Sequence, residues 1–213
     1  MRSVELQCLH LTRRGLHGRN ILDFGCGYGR ILRLMYYFSP PERTFGLDPW
    51  DRSIEVCRAD GIPSNLAVSD YLPRSLPVGD ACFGLIYAFS VFTHTSERAT
   101  RDALVTLRKY IEPDAVLAIT IRPREYWTAI AALRDDVDST QMLADHDARG
   151  FAFTPHNRTP VNGNITYGDT SIALGWLAEN ALGWQIAAYD YNLEDPLQLI
   201  VYLMPITVRS GVV

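Results

Sequence analysis

The sequence predicts an α/β fold built on a seven-stranded, mostly parallel sheet with flanking helices. Apolar runs of strand length alternate with amphipathic stretches of helix length, which is typical of a parallel sheet covered by helices. The first three predicted strands each carry or meet an acidic residue at their carboxyl end. A short connection, residues 192–196, joins the last two apolar runs and predicts a hairpin, so the final strand is expected to run antiparallel to the others.

The elements follow in order along the chain. Strands are predicted at residues 20–24, 44–47, 65–69, 82–89, 115–121, 184–189 and 198–204. Helices are predicted at residues 30–38, 51–59, 97–110, 124–134, 139–149 and 170–182. The first pair forms a strand-turn-helix unit, because NILDF is apolar except for Asp23, and RILRLMYYF repeats apolar residues at helical spacing before two prolines stop it.

The regular alternation breaks after Ile121. Residues 122–168 carry two of the predicted helices and then a loop-like tract, so we expect an insertion that covers the active face within a single domain spanning residues 1–213. Four aromatic residues of the insertion leave two interpretations open: they line a pocket for an organic acceptor, or they form the insertion's own small core. They are Tyr126, Trp127, Phe151 and Tyr167.

The charge of the chain argues against nucleic acid as a partner. The formal net charge is -4, and lysine and arginine are scattered through the chain, so no basic field would hold a phosphate backbone. The four cysteines lie in apolar segments without CxxC pairing, which predicts a reducing compartment and no zinc or other metal site. They are Cys8, Cys26, Cys57 and Cys82.

The hydropathy pattern predicts no membrane association. No apolar run approaches the roughly 18 residues that span a bilayer, and charged residues interrupt the first 15 residues too often for a signal peptide. We therefore expect a cytoplasmic protein, present as a monomer or a homodimer.

A glycine-rich turn joins the first strand to the first helix. Gly25, Gly27 and Gly29 alternate in the segment DFGCGYGR, so a ligand can approach the backbone closely. A dinucleotide-binding turn would follow GxGxxG, whereas the spacing here is GxGxG. Asp23, two residues before the first glycine, would repel a diphosphate but suits a ligand that carries an ammonium group.

The segment ILDFGCGYGR resembles motif I of class I S-adenosylmethionine-dependent methyltransferases, and SVFTH resembles a signature that follows the fourth strand in many small-molecule members. The likeness covers residues 20–122 and implies a Rossmann-like fold, S-adenosylmethionine as cofactor and S-adenosylhomocysteine as product. It implies that Asp23 meets the cofactor's amino group and that Gly25, Cys26, Gly27 and Gly29 form its cradle. The chain departs from the family at Gly84, where relatives commonly carry aspartate, and in the turn before the fifth strand.

The end of the second strand predicts further cofactor contacts. Asp48 follows Gly29 by 19 residues, where a carboxylate can accept hydrogen bonds from both ribose hydroxyls. The alternative role is a helix cap, since Pro49 suits a first helical turn, and the two roles can coexist. Trp50 is placed either to lie against the adenine or only to cover the helix.

The ends of the third and fourth strands complete the predicted cofactor site. By strand order, Asp70 corresponds in the family to the acid that meets the adenine amino group, although it can also be a solvated turn residue. Phe89 and Ser90 end the fourth strand, at the edge where open α/β sheets present ligands, and are expected to border the cofactor.

Methyl transfer to a hydroxyl requires an aligned acceptor and removal of a proton. His94 lies just past the fourth strand and is the first candidate for a catalytic base, although it can merely fix the start of the next helix. His156, within the aromatic-rich insertion, is the second candidate.

These observations predict transfer of a methyl group from S-adenosylmethionine to a small-molecule or glycan-type acceptor, at a hydroxyl oxygen. Two alternatives stay open. A nicotinamide-dependent oxidoreductase would also use a glycine turn and a strand-end acid. A catalytically inactive protein that binds S-adenosylmethionine and pairs with another subunit would keep the cofactor site alone.

Overall fold

The computed structural model describes residues 1–191 and 195–206. Its helices are α1 (Arg2–Thr12), α2 (Asp51–Ala59), α3 (Glu97–Leu107), α4 (Tyr126–Ala131), α5 (Ser139–Arg149) and α6 (Leu174–Asn180). Its strands are β1 (Ile21–Phe24), β2 (Thr44–Asp48), β3 (Asn65–Val68), β4 (Phe83–Ala88), β5 (Ile111–Ile121), β6 (Phe151–Pro155), β7 (Gly168–Ile172), β8 (Trp184–Tyr191) and β9 (Leu199–Pro205).

Within the described residues, seven strands form one sheet in the order β3-β2-β1-β4-β5-β9-β8. Strands β1 to β5 pair in parallel, whereas β9 runs antiparallel to both of its neighbours, β5 and β8. The predicted Rossmann-like sheet with an antiparallel final strand is therefore confirmed. Of the predicted short connection between the last two strands, residues 192–194 lie outside the described residues.

The central strands are apolar on both faces because both faces are covered. Ile21 and Leu85 are register partners in one apolar cluster, and Leu22 and Ile86 are register partners in another. All four side chains are fully buried. Successive residues of a strand point to opposite faces, so these strands read as continuous apolar runs and not as alternating ones.

Helix α1 was not predicted from the sequence. Val4 and Cys8, one helical turn apart, are buried and pack in the same cluster as Val116 of β5. The remaining face of α1 is polar or exposed, so only the contact with the sheet identifies this segment as part of the core. None of the helices in the described part of the chain is long and apolar enough to cross a membrane.

The segment after the glycine turn is a 3-10 helix, Leu32–Tyr37, and not the predicted α-helix over residues 30–38. Its buried residues are Leu32 and Met35, and the buried Phe38 follows directly after it, so that the three lie three positions apart. A 3-10 helix has three residues per turn, so these side chains share one face, while Leu34 and Tyr37 are exposed. The run is apolar at nearly every position, so its period could not be read from the sequence.

The predictions for residues 150–182 were wrong in two places. The tract predicted to be loop-like contains β6 and its whole connection to β7. Strands β6 and β7 form an antiparallel pair, with Phe153 opposite Thr170. The helix predicted over residues 170–182 begins only at Leu174, because Thr170 and its neighbours belong to β7. Strand pairing across the intervening loop overrides the local helical pattern here, since it satisfies the backbone polar groups of both segments.

The boundaries around the connection between α3 and β5 also differ from the prediction. Helix α3 ends at Leu107, before the predicted residue 110, and β5 begins at Ile111, before the predicted residue 115. Between Phe83 and Leu85 the register of β4 on β5 shifts, so Ile111 and Val116 are the partners of these two residues. The additional residues of β5 therefore form an irregular start to the strand, which a pattern of alternation does not reveal.

Candidate cofactor and acceptor site

Three alternating glycines after β1 have a left-handed backbone conformation. Gly25, Gly27 and Gly29 have φ values of 80°, 53° and 70°, a region that side chains rarely occupy. A Cβ on Gly25 would lie 2.3 Å from Val91, and one on Gly29 would lie 2.3 Å from Ile62. A Cβ on Gly27 would have open space around it, with no contact within 4 Å from the part of the chain that the structure describes. The turn is therefore packed at its two ends and open in its middle.

Asp48 connects this turn to the end of β2. One carboxylate oxygen accepts a hydrogen bond of 2.8 Å from the backbone N–H of Gly27, and the other accepts one of 2.9 Å from the N–H of Trp50. Burial raises the pKa of Asp48, and these two N–H groups act in the opposite direction. The side chain does not cap α2, whose cap residue is Trp50 without a side-chain bond. Asp48 instead connects the glycine turn to the segment between β2 and α2.

Asp23 lies in β1 opposite Tyr87 of β4 and is almost fully buried. Burial raises its pKa from 3.8 to about 7, with a further increase from the Asp48 carboxylate and a decrease from the Tyr87 hydroxyl. A buried carboxyl group with such a pKa favours a cationic partner, because a neighbouring positive charge would restore its ionised form. Cys26, between Asp23 and Gly27, is buried, and its Sγ lies against Gly46 of β2.

Two exposed aromatic rings flank Asp48. Tyr28 and Trp50 meet edge to face with ring centroids 6.1 Å apart, and each is nearly half exposed. Pro49 lies between Asp48 and Trp50. Asp70 is exposed just past β3, while Ser69 beside it donates its N–H to the carbonyl of Asp48.

The end of β4 has an unusual backbone. Ser90 has φ 57°, which is rare for a residue other than glycine, and its N–H donates to Oγ1 of Thr120 in β5 at 2.7 Å. Phe89 is half-buried against Tyr87. Strain of this kind often occurs at ligand sites. Ser90 leaves the sheet at the same carboxyl edge as Asp48, since β1, β2 and β4 run in parallel.

His94 lies one turn beyond Ser90 and is linked to the glycine turn through Val91, which packs on Gly25 and accepts the N–H of His94. Its ring stacks on Tyr167, with centroids 5.2 Å apart and planes 11° apart. Nδ1 lies 2.8 Å from the carbonyl of Gly168, and Nε2 lies 3.4 Å from Arg122. Burial lowers the pKa of His94, and the Arg122 charge lowers it further.

A second polar cluster, the Asp169 cluster, lies beside His94. The carboxylate of Asp169 in β7 accepts hydrogen bonds from four side chains, and the partners are Arg122, Tyr126, Arg134 and His156. Asp169 is almost fully buried. The structure thus brings the two predicted histidines together, with ring centroids 6.4 Å apart.

Sequence reasoning missed Arg122, Arg134 and Asp169. Arg122 directly follows β5 and could have been found by the strand-end argument that selected Asp48 and Asp70. Asp169 could not, because its role depends on the β6–β7 pairing, which the sequence did not predict.

Burial separates the two interpretations of the insertion's aromatic residues. Tyr126, Trp127 and Phe151 are buried in apolar clusters, and Trp127 donates its ring N–H to Ser171 at 2.6 Å. These three residues are core. Tyr167 alone of the four is partly exposed and lies beside His94.

The architecture resembles solved structures of methyltransferases. An S-adenosylmethionine dependent methyltransferase from Mesorhizobium loti has a TM-score of 0.62 at 16% identity, over 94% of this chain and 97% of that chain. The glycopeptide N-methyltransferase MtfA, solved with S-adenosylmethionine, has a TM-score of 0.61 at 12% identity, over 95% and 93%. Magnesium protoporphyrin IX methyltransferase from Synechocystis, with bound S-adenosylhomocysteine, has a TM-score of 0.60 at 12% identity, over 96% and 82%. At these identities the likeness shows the fold. No curated protein matches the sequence.

The sheet order and the glycine turn are those of the Rossmann-like methyltransferase fold. Residues 21–114 match the family described as Methyltransferase domain, which spans the turn and the ends of β1 to β4. Over these residues the chain is similar to a methyltransferase domain, which confirms the resemblance stated from motif I. The particular likeness of SVFTH to small-molecule members stays a prediction.

Proposed function

We propose that the protein transfers a methyl group from S-adenosylmethionine to a hydroxyl oxygen of a small-molecule or glycan-type acceptor. The observation that carries this proposal is the open middle of the glycine turn, bordered by a buried carboxyl group on one side and the Asp48 carboxylate on the other. When bound, S-adenosylmethionine supplies a methyl group on a positively charged sulfur.

The residues of the turn fit such a cofactor. No protein atom occupies the space beside Gly27, so the backbone there can be approached by a ligand. Asp23 would pair with the amino group of the methionine part of the cofactor. The backbone of Gly25, Cys26 and Gly29 would form the surface on which this part of the cofactor lies. Asp48 has already used one lone pair on each oxygen, which leaves the outer lone pairs for two ribose hydroxyls.

The remaining predicted contacts surround the nucleoside and the sulfur. Trp50 with Pro49 would cover one side of the adenine, and Asp70 would meet its amino group. Phe89 and Ser90 would border the cofactor at the end of β4. The hydrogen bond from the Ser90 N–H to Oγ1 of Thr120 holds the loop in place there.

Polar side chains near the end of β4 support the acceptor half of the proposal. His94, Tyr167, His156 and Arg122 converge near the end of β4, and residues 122–168 would form the cover of this face. A guanidinium can orient a hydroxyl by donating to its oxygen, and a neutral imidazole can also take up the hydroxyl proton. The net charge of -4 still disfavours nucleic acid. The glycopeptide and magnesium protoporphyrin enzymes indicate by their names that this fold serves very different acceptors.

Calorimetric titration tests the donor half of the proposal. We expect S-adenosylhomocysteine to bind with one site per chain and NAD to give no heat. Binding of NAD alone would instead favour the oxidoreductase. A Gly27→Val variant serves as the control, because its side chain would enter the open middle of the turn.

Release of S-adenosylhomocysteine in a panel of acceptors tests the other half. Sugars, phenols and primary alcohols are compared with amines of matched skeleton, and turnover confined to hydroxyl acceptors is expected. Turnover confined to amines would reject the oxygen assignment. Tight cofactor binding without turnover, together with co-purification of one constant protein, would favour the inactive partner.

A further inference from the structure

His156 and Asp169 form a hydrogen-bonded pair at the rim of the acceptor side. Nε2 of His156 lies 2.8 Å from Oδ2 of Asp169. An ionised carboxylate can only accept, so Nε2 carries a proton, and in the neutral ring Nδ1 presents a lone pair. Within the described residues, no hydrogen bond reaches Nδ1, and 28% of the side chain is exposed.

The rest of the Asp169 cluster keeps this carboxylate ionised and immobile. Arg122 and Tyr126 donate to Oδ1 at 2.8 and 2.9 Å, and Arg134 donates to Oδ2 at 2.8 Å. Burial alone would raise the pKa of Asp169, but the hydrogen bonds from His156, Arg122 and Tyr126 outweigh it and lower the pKa to about 2. Each oxygen therefore has two donors, and His156 cannot rotate without breaking one of these bonds.

His94 lacks a free nitrogen of this kind. Its Nδ1 faces the carbonyl of Gly168 and must carry a proton, while its Nε2 faces the guanidinium of Arg122. To take up a further proton, Nε2 would have to become a second donor toward a cation. His94 is thus suited to positioning Tyr167, on which it stacks, and not to accepting a proton.

We propose that His156, oriented by Asp169, is the group that removes the proton from the acceptor. This assignment rests on the proposed function. The hydroxyl proton moves to Nδ1 of His156, the acceptor oxygen forms a bond to the methyl carbon, and the electron pair of the breaking carbon–sulfur bond remains on sulfur. The imidazolium that forms is stabilised by the Asp169 carboxylate at Nε2.

The protonation pattern can be measured without knowing the acceptor. In protein labelled with ¹⁵N-histidine, long-range correlation spectra should show the neutral ring of His156 with its proton on Nε2 and that of His94 with its proton on Nδ1. Assignment uses His94→Gln and His156→Gln. A neutral His156 ring with its proton on Nδ1 in the wild type would overturn the proposal.

Reactivity with diethyl pyrocarbonate tests the free nitrogen directly, because this reagent acylates unprotonated imidazole. Peptide mapping at pH 7 should show His156 modified about tenfold faster than His94. In Asp169→Asn the rate at His156 should fall about tenfold, because the amide can donate to Nε2 and drive the proton to Nδ1. The exposed His10 in α1 provides the internal control and should keep its rate. Equal rates at His94 and His156, or an unchanged rate in Asp169→Asn that retains its melting temperature, would refute the assignment.

Two readouts separate this proposal from the proposed function. Binding of S-adenosylhomocysteine should be the same in wild type and His156→Gln, and its absence in both would reject the function but leave the protonation result. With any hydroxyl acceptor from the panel, His156→Gln should lower kcat by at least about a hundredfold with KM nearly unchanged. Full turnover in that variant would exclude His156 as the proton acceptor.

Discussion

Single residues at this site combine a structural contact with a binding surface. Asp48 ties the glycine turn to α2 through two N–H groups and still offers outer lone pairs. Asp23 is held in a buried position where its charge is costly unless a cation is nearby. The contribution of such a residue to the stability of the fold depends on whether the cofactor is bound. Its substitution should therefore affect the free energy of unfolding and the affinity for the cofactor differently.

Asp23→Asn should change how stability depends on pH in the cofactor-free protein. The pKa of Asp23 is raised from 3.8 to about 7 in the folded state, so its contribution to stability is present below about pH 4 and is lost as the pH rises toward 7. Between pH 5 and pH 8 the wild type should lose about 2 to 3 kcal/mol relative to Asp23→Asn. Urea unfolding at the two pH values measures the difference, and parallel curves for both proteins would contradict it.

Asp48→Ala should weaken S-adenosylhomocysteine binding by about 1 to 3 kcal/mol, because hydrogen bonds to a charged group are lost. The melting temperature should also fall, since the N–H groups of Gly27 and Trp50 lose their acceptor. Calorimetry and thermal melts measure the two effects. Asp80→Ala, an exposed acid in the β3–β4 connection, should change neither. If Asp48→Ala binds as tightly as wild type, the ribose assignment fails.

At the level of elements, the strand-turn-helix unit around the glycines is shaped by close packing at its ends. Val91 fills the space at Gly25 and Ile62 fills the space at Gly29, while the 3-10 helix that follows buries one residue in three. This arrangement leaves the open stretch at Gly27 between two rigid supports. The strand-turn-helix unit as a whole thus provides the open space beside Gly27, because the packed residues on both sides of it are needed to form this space.

Gly27→Ala should reduce affinity for S-adenosylhomocysteine at least about tenfold while costing only about 1 kcal/mol of stability. The stability cost arises from φ 53°, and the loss of affinity arises because the new methyl group enters the open space. Gly61→Ala is the matched control, since Gly61 also has a positive φ and open space around its Cβ. Equal affinities for the two variants in calorimetry would show that the cofactor does not lie on Gly27.

At the level of the whole molecule, the carboxyl ends and the amino ends of the strands carry different features. The carboxyl edge carries the glycine turn, Asp48 and Ser90, whereas the amino edge carries a buried ion pair in which Arg19 donates to Glu112 at 2.5 Å. Gly84 is part of that arrangement, because a Cβ there would lie 2.0 Å from the Arg19 side chain. The departure from the family at Gly84 therefore makes room for the arginine.

Glu112→Gln should destabilise the fold by about 2 kcal/mol, since the buried Arg19 guanidinium loses its nearer carboxylate and keeps only Asp114, which is 3.7 Å away. Binding of S-adenosylhomocysteine should not change, because the pair lies at the opposite edge of the sheet from the glycine turn. Asp114→Asn is the comparison, since Asp114 is half exposed and lies farther from Arg19 than Glu112 does, so its removal should cost less than about 1 kcal/mol. Denaturant unfolding and calorimetry measure the two quantities, and a loss of affinity in Glu112→Gln would show that the edges are coupled.

The sequence by itself determined the parallel sheet, its antiparallel final strand and the glycine turn with its acids. Continuous apolar runs and glycines at fixed spacing are local signals, so they can be read without knowing what packs against them. The period of the helix after the turn could not be read in this way, because nearly every position in it is apolar.

Only the tertiary structure decided which histidine is free and which carboxylate holds it. Asp169 lies far along the chain from His94 and Arg122, and it reaches them because β6 and β7 pair above the end of β5. Contacts between segments so distant in sequence leave no periodic signal, since they depend on where the chain returns and not on the residues beside them.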